Sequence, residues 1–77
     1  MNLTIHEASL YVLKLSELVK KADDVEVALA PSFLALQPLS LQIRSSQFTL
    51  AAQDFYWKDQ GAYTGEVSAR QLNGLVK

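Results

Sequence analysis

The sequence predicts an α/β fold built on parallel strands, and two observations support this prediction. Residues 25–30 and 48–53 form two short, largely apolar runs that are typical of buried strands. A helical segment lies between them, so the strands are expected to pair in parallel through a crossover. Parallel sheets normally contain more than two strands, so this sheet would keep two unpaired edges. The chain therefore has the pattern of a slice from a larger sheet or barrel.

The composition limits the chain to one domain, residues 1–77, and excludes several classes of function. There is no Cys and only one His, which excludes a disulfide framework and a Cys/His zinc site. Seven basic and eight acidic side chains give a net charge of −1, which provides no charged surface for nucleic acid or an anionic membrane. Signal-peptide order and a membrane-length apolar stretch are both lacking, so a cytoplasmic location is expected.

The first helix is predicted over residues 5–21. Thr4 and Glu7 have the spacing of a capping box, in which each side chain satisfies a free backbone N–H. The predicted apolar stripe of this helix comprises Ala8, Tyr11, Val12, Leu15, Leu18, Val19 and Ala22. Leu10 and Leu13 fall on the polar side, either as ordinary exposed leucines or as contacts for a neighbour missing from this chain.

A second helix and a long loop follow. Pro38 suits the first position of a helix, which predicts a helix over residues 38–44. Residues 54–67 have no apolar period, contain four aromatic side chains and include Gly61 and Gly65. This segment is predicted to be a long, structured loop.

The third helix is predicted over residues 68–73. Ser68 and Gln71 repeat the capping-box spacing, and Asn73 and Gly74 suit its end.

The charged fraction of the chain, 19%, is below the usual value of about 25%, which indicates a core that continues beyond this chain.

The side chains that could take part in catalysis do not form a recognisable catalytic pattern. His6 lies opposite the apolar stripe without a nearby nucleophile, which is typical of a solvated surface histidine. The long loop carries three carboxylates: Asp54, Asp59 and Glu66. They could serve glycoside chemistry, but loop carboxylates are usually turn formers.

Two further patterns in the loop bear on binding functions. Residues 61–65 read Gly-Ala-Tyr-Thr-Gly and lack the Gly-Lys-Ser/Thr ending of a phosphate-binding loop. Residues 55–58 read Phe-Tyr-Trp-Lys, which is similar to a stacking platform for single-stranded nucleic acid. One Lys without a basic groove supplies no phosphate contact, so packing or contact with a protein partner is favoured.

Two stretches at the start and in the second half of the long loop carry a specific pattern: Ala51-Ala52-Gln53-Asp54 and Gly61-Ala62-Tyr63-Thr64-Gly65-Glu66-Val67-Ser68. Together they closely resemble the triosephosphate isomerase family. In that family the third barrel strand ends in Ala-Gln-Asn, and a long loop leads to Gly-Ala-Phe-Thr-Gly-Glu followed by Ile or Val and Ser. Residues 25–33 are similar to the family's second strand and the Ala-Pro-Pro-Phe turn that follows it. Met1-Asn2 is similar to the end of the family's Asn-Trp-Lys-Met-Asn motif. The resemblance covers essentially the whole chain.

The resemblance implies a fragment of a (β/α)8 TIM barrel with two parallel strands and about three helices. The implied elements are helix 1, strand 2, helix 2, strand 3, loop 3 and helix 3 of the barrel, which as a whole takes about 250 residues. The departures are small: Asp54 stands in place of Asn, Ser32 in place of Pro and Tyr63 in place of Phe.

The family interconverts dihydroxyacetone phosphate and glyceraldehyde 3-phosphate without a cofactor. Its catalytic groups are a Glu base and a neutral His electrophile, a well-known example of pKa values adjusted by the protein environment. The resemblance places the family's Asn and Lys before Met1, and its His, Glu and phosphate-binding loops after Lys77. It therefore implies that this chain holds no catalytic residue, cofactor ligand or metal ligand. The chain alone is expected to be inactive.

The resemblance also implies a homodimer in which the long loop reaches the second subunit. The implied interface residues are Gln53, Tyr63, Thr64, Gly65 and Glu66. Thr64 and Glu66 match the positions that contact the partner, and Tyr63 and Gln53 match supporting ones. The alternative is a non-catalytic, protein-binding module that uses the sheet edges or the aromatic loop.

Overall fold

The structure, a computed structural model, describes residues 2–20, 24–43 and 48–77. In chain order the elements are α1 (Ile5–Val19), β1 (Val27–Leu29), α2 (Phe33–Gln42), β2 (Phe48–Leu50) and α3 (Ala69–Leu72). The predicted order of helix, strand, helix, strand, long loop and helix is confirmed.

The two strands pair in parallel, as predicted. Val27 lies opposite Phe48 and Leu29 lies opposite Leu50. The Ala51 N–H extends this ladder by donating to the carbonyl of Leu29 at 2.8 Å. Both strands are shorter than predicted. Strand β1 begins at Val27 instead of residue 25 and ends at Leu29, shortly before the Ser32 cap of α2. Strand β2 ends at Leu50, where the chain leads into the long loop.

The prediction of buried strands is confirmed for β2 and wrong for β1. Phe48 and Leu50 are buried, whereas Val27 and Leu29 are half-buried and Ala28 between them is exposed. Side chains alternate between the two faces of a strand, so the helices cover only the face that carries Val27 and Leu29. Within the described residues, nothing covers the other face of β1 or its second edge.

Helix α1 begins as the sequence predicts. The Glu7 N–H donates to Thr4 Oγ1 at 3.1 Å, and the Thr4 N–H donates to Glu7 Oε1 at 3.0 Å. The helix continues to Val19 with Lys20 as its C-terminal cap. Residue 21, the predicted end, lies outside the described residues.

The apolar stripe of α1 is narrower than predicted. The members that reach the core or pack against it are Ala8, Val12, Leu15 and Val19. Tyr11 and Leu18 are 56% and 81% exposed, because no described element lies beside them. Leu10 and Leu13 are exposed as well, on the side of the helix that faces away from the sheet. Ala22, the last predicted member of the stripe, lies outside the described residues.

The predicted start of the second helix is wrong. Helix α2 begins at Phe33, and Pro38 lies inside it rather than at its first position. Pro38 has no N–H to donate to the carbonyl of Leu34, so the helix loses one internal hydrogen bond there. Its buried side chains, Ala35, Leu36 and Leu39, compensate through packing. The predicted end at residue 44 lies outside the described residues.

The core forms where α1 and α2 pack together on one face of the sheet. Its buried members are Ala8, Val12, Ala35, Leu36, Leu39, Ile43, Phe48, Leu50 and Leu72. A polar pair fixes the two helices laterally: Ser9 Oγ donates to Gln42 Oε1 at 2.7 Å, and Gln42 Nε2 donates to the Ser9 carbonyl at 3.0 Å. Leu72 brings α3 into the same core.

The N-terminal capping box predicts a pH dependence of the helix content of α1. Hydrogen bonds from the backbone N–H of Thr4, and then from its side chain, hold the pKa of Glu7 below its ordinary value of 4.5. A lowered carboxyl pKa stabilises the folded state above that ordinary value, and this contribution is lost as the pH falls through the lowered pKa. We expect the far-ultraviolet circular dichroism signal of the helix to weaken as the pH falls below 4.5 and through the lowered pKa of Glu7.

The matched control is Glu7→Gln, whose amide oxygen still accepts the Thr4 N–H but does not titrate. The acid-dependent loss of helix signal should be smaller in this variant than in the wild type. Thr4→Ala should lower helicity at neutral pH by an amount equivalent to about 1 kcal/mol. An identical acid titration of wild type and Glu7→Gln would contradict the role of this carboxylate.

Candidate functional site

The long loop that follows β2 is closed at its base by the backbone. The Tyr56 N–H donates to the carbonyl of Val67 at 2.7 Å, and Tyr56 and Ser68 form a parallel bridge. The intervening residues therefore form a closed excursion with both ends held together. The prediction of a structured loop over residues 54–67 is confirmed.

The C-terminal end of the loop is fixed by the cap of α3. The Gln71 N–H donates to Ser68 Oγ at 3.1 Å, and the Ser68 N–H donates to Gln71 Oε1 at 3.0 Å. Ser68 is buried, and Leu72 one turn later belongs to the core. The predicted third helix is confirmed, with Ser68 and Asn73 as its cap residues.

The N-terminal end of the loop is fixed by Gln53. Its Nε2 donates to the carbonyl of Ala30 at 2.7 Å. This bond joins the segment after β2 to the segment after β1, at the C-terminal end of the parallel sheet. Gln53 is itself exposed at this end of the sheet.

The aromatic side chains of the loop separate into a packed pair and an exposed pair. The rings of Tyr56 and Tyr63 lie 4.7 Å apart between centroids at an angle of 41°. Phe55 and Trp57 are 57% and 73% exposed, and Lys58 Nζ lies 4.2 Å from the centroid of the Trp57 ring. Packing therefore accounts for Tyr56 and Tyr63 and leaves Phe55 and Trp57 facing solvent.

Gly61 allows Tyr63 to approach the backbone closely. Its φ is +139°, and a Cβ at this position would lie 2.6 Å from Cε2 of Tyr63. Gly65 also has a positive φ of +87°, but a Cβ there would meet nothing within 4 Å. The first glycine is required by conformation and space, and the second by conformation alone.

A cavity of about 540 Å³ lies between the loop and the start of α3. Its lining residues are Tyr56, Lys58, Asp59, Gln60, Gly61, Ala62, Tyr63, Thr64, Glu66, Ser68, Arg70 and Gln71. Three of the predicted interface residues, Tyr63, Thr64 and Glu66, therefore share one site. Gln53 and Gly65 do not line the cavity; Gln53 lies at the base of the loop and Gly65 forms its second bend.

One polar contact across this cavity has no counterpart among the sequence predictions. Arg70 Nη1 donates a hydrogen bond to Gln60 Oε1, which links the tip of the loop to α3. The two residues are ten positions apart and belong to no spacing rule, so only the loop geometry brings them together. Neither residue type, taken by itself, indicates that Gln60 and Arg70 are paired.

The remaining candidates for chemistry do not assemble into a catalytic group. His6 is exposed in the first turn of α1 and does not line the cavity. Asp59 and Glu66 line it, but Asp54 does not. Over residues 2–20, 24–43 and 48–77, no three His, Asp or Glu side chains are grouped so as to hold a metal ion. In the same residues, no helix has the length and apolar character needed to cross a membrane.

The fold and the loop together define a class of protein: a parallel α/β barrel, represented here by two strands, three helices and a long loop leaving the C-terminal end of a strand. Sequence comparison identifies the family within that class. The profile described as Triosephosphate isomerase matches residues 1–76. The chain belongs to the triosephosphate isomerase family, and the predicted fold class is confirmed.

Three relatives named triosephosphate isomerase illustrate the match. The protein from Pelobacter propionicus is 46% identical over 69 residues, covering 90% of this chain and 28% of the relative. The protein from Geotalea uraniireducens is 45% identical with the same coverage. The protein from Prochlorococcus marinus strain NATL1A is 46% identical over 79 aligned positions, covering 97% of this chain and 32% of the relative. The chain thus spans about a third or less of the length of these relatives.

The two glycines of the loop give a matched pair of substitutions. Gly61→Ala and Gly65→Ala both force alanine into a positive-φ conformation, at a cost of about 1–3 kcal/mol. Only Gly61→Ala also drives a methyl group into the Tyr63 ring. We therefore expect the Tyr56 amide, which closes the loop, to exchange with solvent faster in Gly61→Ala than in Gly65→Ala. Equal exchange rates in the two variants, measured by hydrogen–deuterium exchange, would contradict the contact between Gly61 and Tyr63.

Proposed function

We propose that this chain forms part of a triosephosphate isomerase barrel that interconverts dihydroxyacetone phosphate and glyceraldehyde 3-phosphate in the cytoplasm without a cofactor. The observation that supports this proposal is the family match along residues 1–76. The parallel strands and the position of the long loop agree with it. The relatives' own names supply the reaction, and their greater length supplies the rest of the barrel.

The proposed role of the chain is to build the barrel wall and to position its loops. Active sites of such barrels lie at the C-terminal ends of the strands, where loops converge. In this chain that end is held by the hydrogen bond from Gln53 to the carbonyl of Ala30. This bond restricts the segments after β1 and β2 relative to each other, so both leave the sheet in a defined direction.

The proton transfers are assigned to residues outside this chain. Moving a proton between adjacent carbons through an enediolate requires a base and an electrophile within hydrogen-bond reach of the substrate. His6 is exposed at the start of α1, and the carboxylates of the loop are also exposed. In this proposal the chain contributes scaffold rather than acid–base chemistry, and it is supported by the described residues, among which no groups are arranged as such a pair.

The long loop is proposed to contact the second subunit of a homodimer. Thr64 and Glu66 are exposed beside the cavity, and Tyr63 is 40% exposed while packing on Tyr56. The loop is internally fixed at both ends, so docking it against a partner orders few additional side chains. Exposed side chains on a preformed loop are suited to an interface, and this supports the proposal.

The isolated chain is expected to lack isomerase activity. A coupled assay on the pure 77-residue protein should give turnover no greater than buffer alone. The matched check is His6→Ala, which should leave this background unchanged. Turnover above background that disappears in His6→Ala would show that the chemistry lies within this chain.

The role of the loop is best tested in a chimera. The aligned part of this chain replaces the 69 aligned residues of the Pelobacter propionicus relative, and the chimera is assayed for isomerase activity and for dimer formation by analytical ultracentrifugation. We expect an active dimer, and we expect Glu66→Ala and Thr64→Ala each to weaken dimerisation by about tenfold, equivalent to about 1.4 kcal/mol. Lys20→Ala, at the exposed end of α1, is the control and should leave the dimer unchanged.

Two results would contradict this proposal. A correctly folded chimera with no isomerase activity would favour the alternative of a binding module. A dimer that survives both loop substitutions unchanged would remove the loop from the interface.

A further inference from the structure

The tip of the long loop, residues 58–62, borders the cavity that separates the loop from α3. Every residue of the tip lines this cavity and is exposed. A backbone hydrogen bond closes the base of the loop, and the pair of packed tyrosine rings holds its C-terminal half. The tip has the cavity beside it instead of a buried core, so its position relative to α3 depends on contacts that cross the cavity.

One such contact is the hydrogen bond that Arg70 Nη1 donates to Gln60 Oε1. Arg70 belongs to α3, which the buried Ser68 cap and Leu72 fix to the core. The guanidinium keeps its charge over the whole working range of pH, so this bond is stronger than one between two neutral groups and is not lost by titration. It therefore ties an exposed residue of the tip to an element that the core holds.

The bond acts at the residue that precedes the first bend of the loop. Gly61 follows Gln60, and a Cβ on this glycine would lie 2.6 Å from Cε2 of Tyr63. Tyr63 in turn precedes Thr64, and the Glu66 N–H donates to the carbonyl of Tyr63 at 3.0 Å. A continuous series of contacts thus leads from the anchored guanidinium to the two side chains proposed to meet the second subunit.

We propose that Arg70 is a positioning residue for the subunit interface: through Gln60 it holds the loop in the form that presents Thr64 and Glu66 to the second subunit. The role of Arg70 rests on the proposed function of the loop and extends it to a residue outside the interface set. Restricting the loop before association lowers the ordering cost that dimerisation would otherwise bear. Arg70 needs no contact of its own with the partner to act in this way.

The loop is tested in the full 77-residue chain. Trp57 is the only tryptophan of the chain and directly precedes the tip, so its time-resolved fluorescence anisotropy measures local motion there. We expect Arg70→Met, which keeps an apolar stem but has no donor, to increase the amplitude of the nanosecond depolarisation. Lys14→Met, which removes a positive charge from the exposed side of α1, is the matched control and should leave the depolarisation unchanged.

The interface is tested in a second chimera, in which the aligned part of this chain replaces the aligned segment of the Prochlorococcus marinus strain NATL1A relative. This alignment covers 97% of the chain and so includes both Gln60 and Arg70. We expect Arg70→Met to weaken dimerisation about three- to fivefold, as measured by analytical ultracentrifugation. Arg70→Lys should recover most of this loss, because one hydrogen bond to an amide oxygen needs only one charged donor. Lys14→Met should again have no effect.

A double-mutant cycle separates positioning from a purely structural role of Arg70 in α3. Gln60→Leu should weaken dimerisation by the same factor as Arg70→Met, and the double variant should lose no more than either single variant. Gln60 is an exposed loop residue, so Gln60→Leu carries the test if Arg70→Met fails to fold.

The outcomes distinguish the role of Arg70 from the proposed interface. Unchanged Trp57 anisotropy in Arg70→Met, or additive losses in the double variant, overturns the role of Arg70. A dimer that is weakened by Thr64→Ala and Glu66→Ala, but by neither Arg70→Met nor Gln60→Leu, overturns it as well and leaves the interface intact. A dimer that none of these substitutions weakens, despite faster motion of Trp57, overturns the proposed interface and the role of Arg70 with it.

Discussion

The parallel pairing of β1 with β2 is the constraint on which the other elements depend. Two parallel strands cannot be joined by a hairpin, so the chain must return along the sheet before β2 begins, and α2 makes that return. The crossover is stable because Leu36 and Leu39 are only 1% and 2% exposed beneath it. Helix α1 then packs beside α2, and α3 closes the core through Leu72. The packing of α1, α2 and α3 therefore depends on the two strands running in the same direction.

The same constraint places both strand ends, and the loops that follow them, at one end of the sheet. There the structure is held by polar contacts rather than by apolar packing: Gln53 bonds the carbonyl of Ala30, and the Tyr56 N–H bonds the carbonyl of Val67. These bonds define the directions of the chain without burying much surface. The loop is therefore held in place by its base, so it can meet a partner without first becoming ordered.

Local rules predicted the elements that depend on local interactions. Both capping boxes form as the spacing indicates, because a side chain three residues away from a free N–H reaches it in any helix. The start of α2 was predicted wrongly. Pro38 suits the first position of a helix, but burial of Ala35 and Leu36 stabilises a helical turn before it. The lateral pair of Ser9 and Gln42 and the contact between Gln60 and Arg70 arise only from tertiary geometry. No local pattern indicates them.

The closed base of the long loop has a mechanical consequence. The residues between Tyr56 and Val67 leave and return at nearly the same point, so a displacement of the excursion need not move the strand ends or the cap of α3. The Tyr56 N–H and the carbonyl of Val67 form the hinge about which such a displacement would occur. The loop tip can therefore adjust to a contacting surface while the core beneath it keeps its packing.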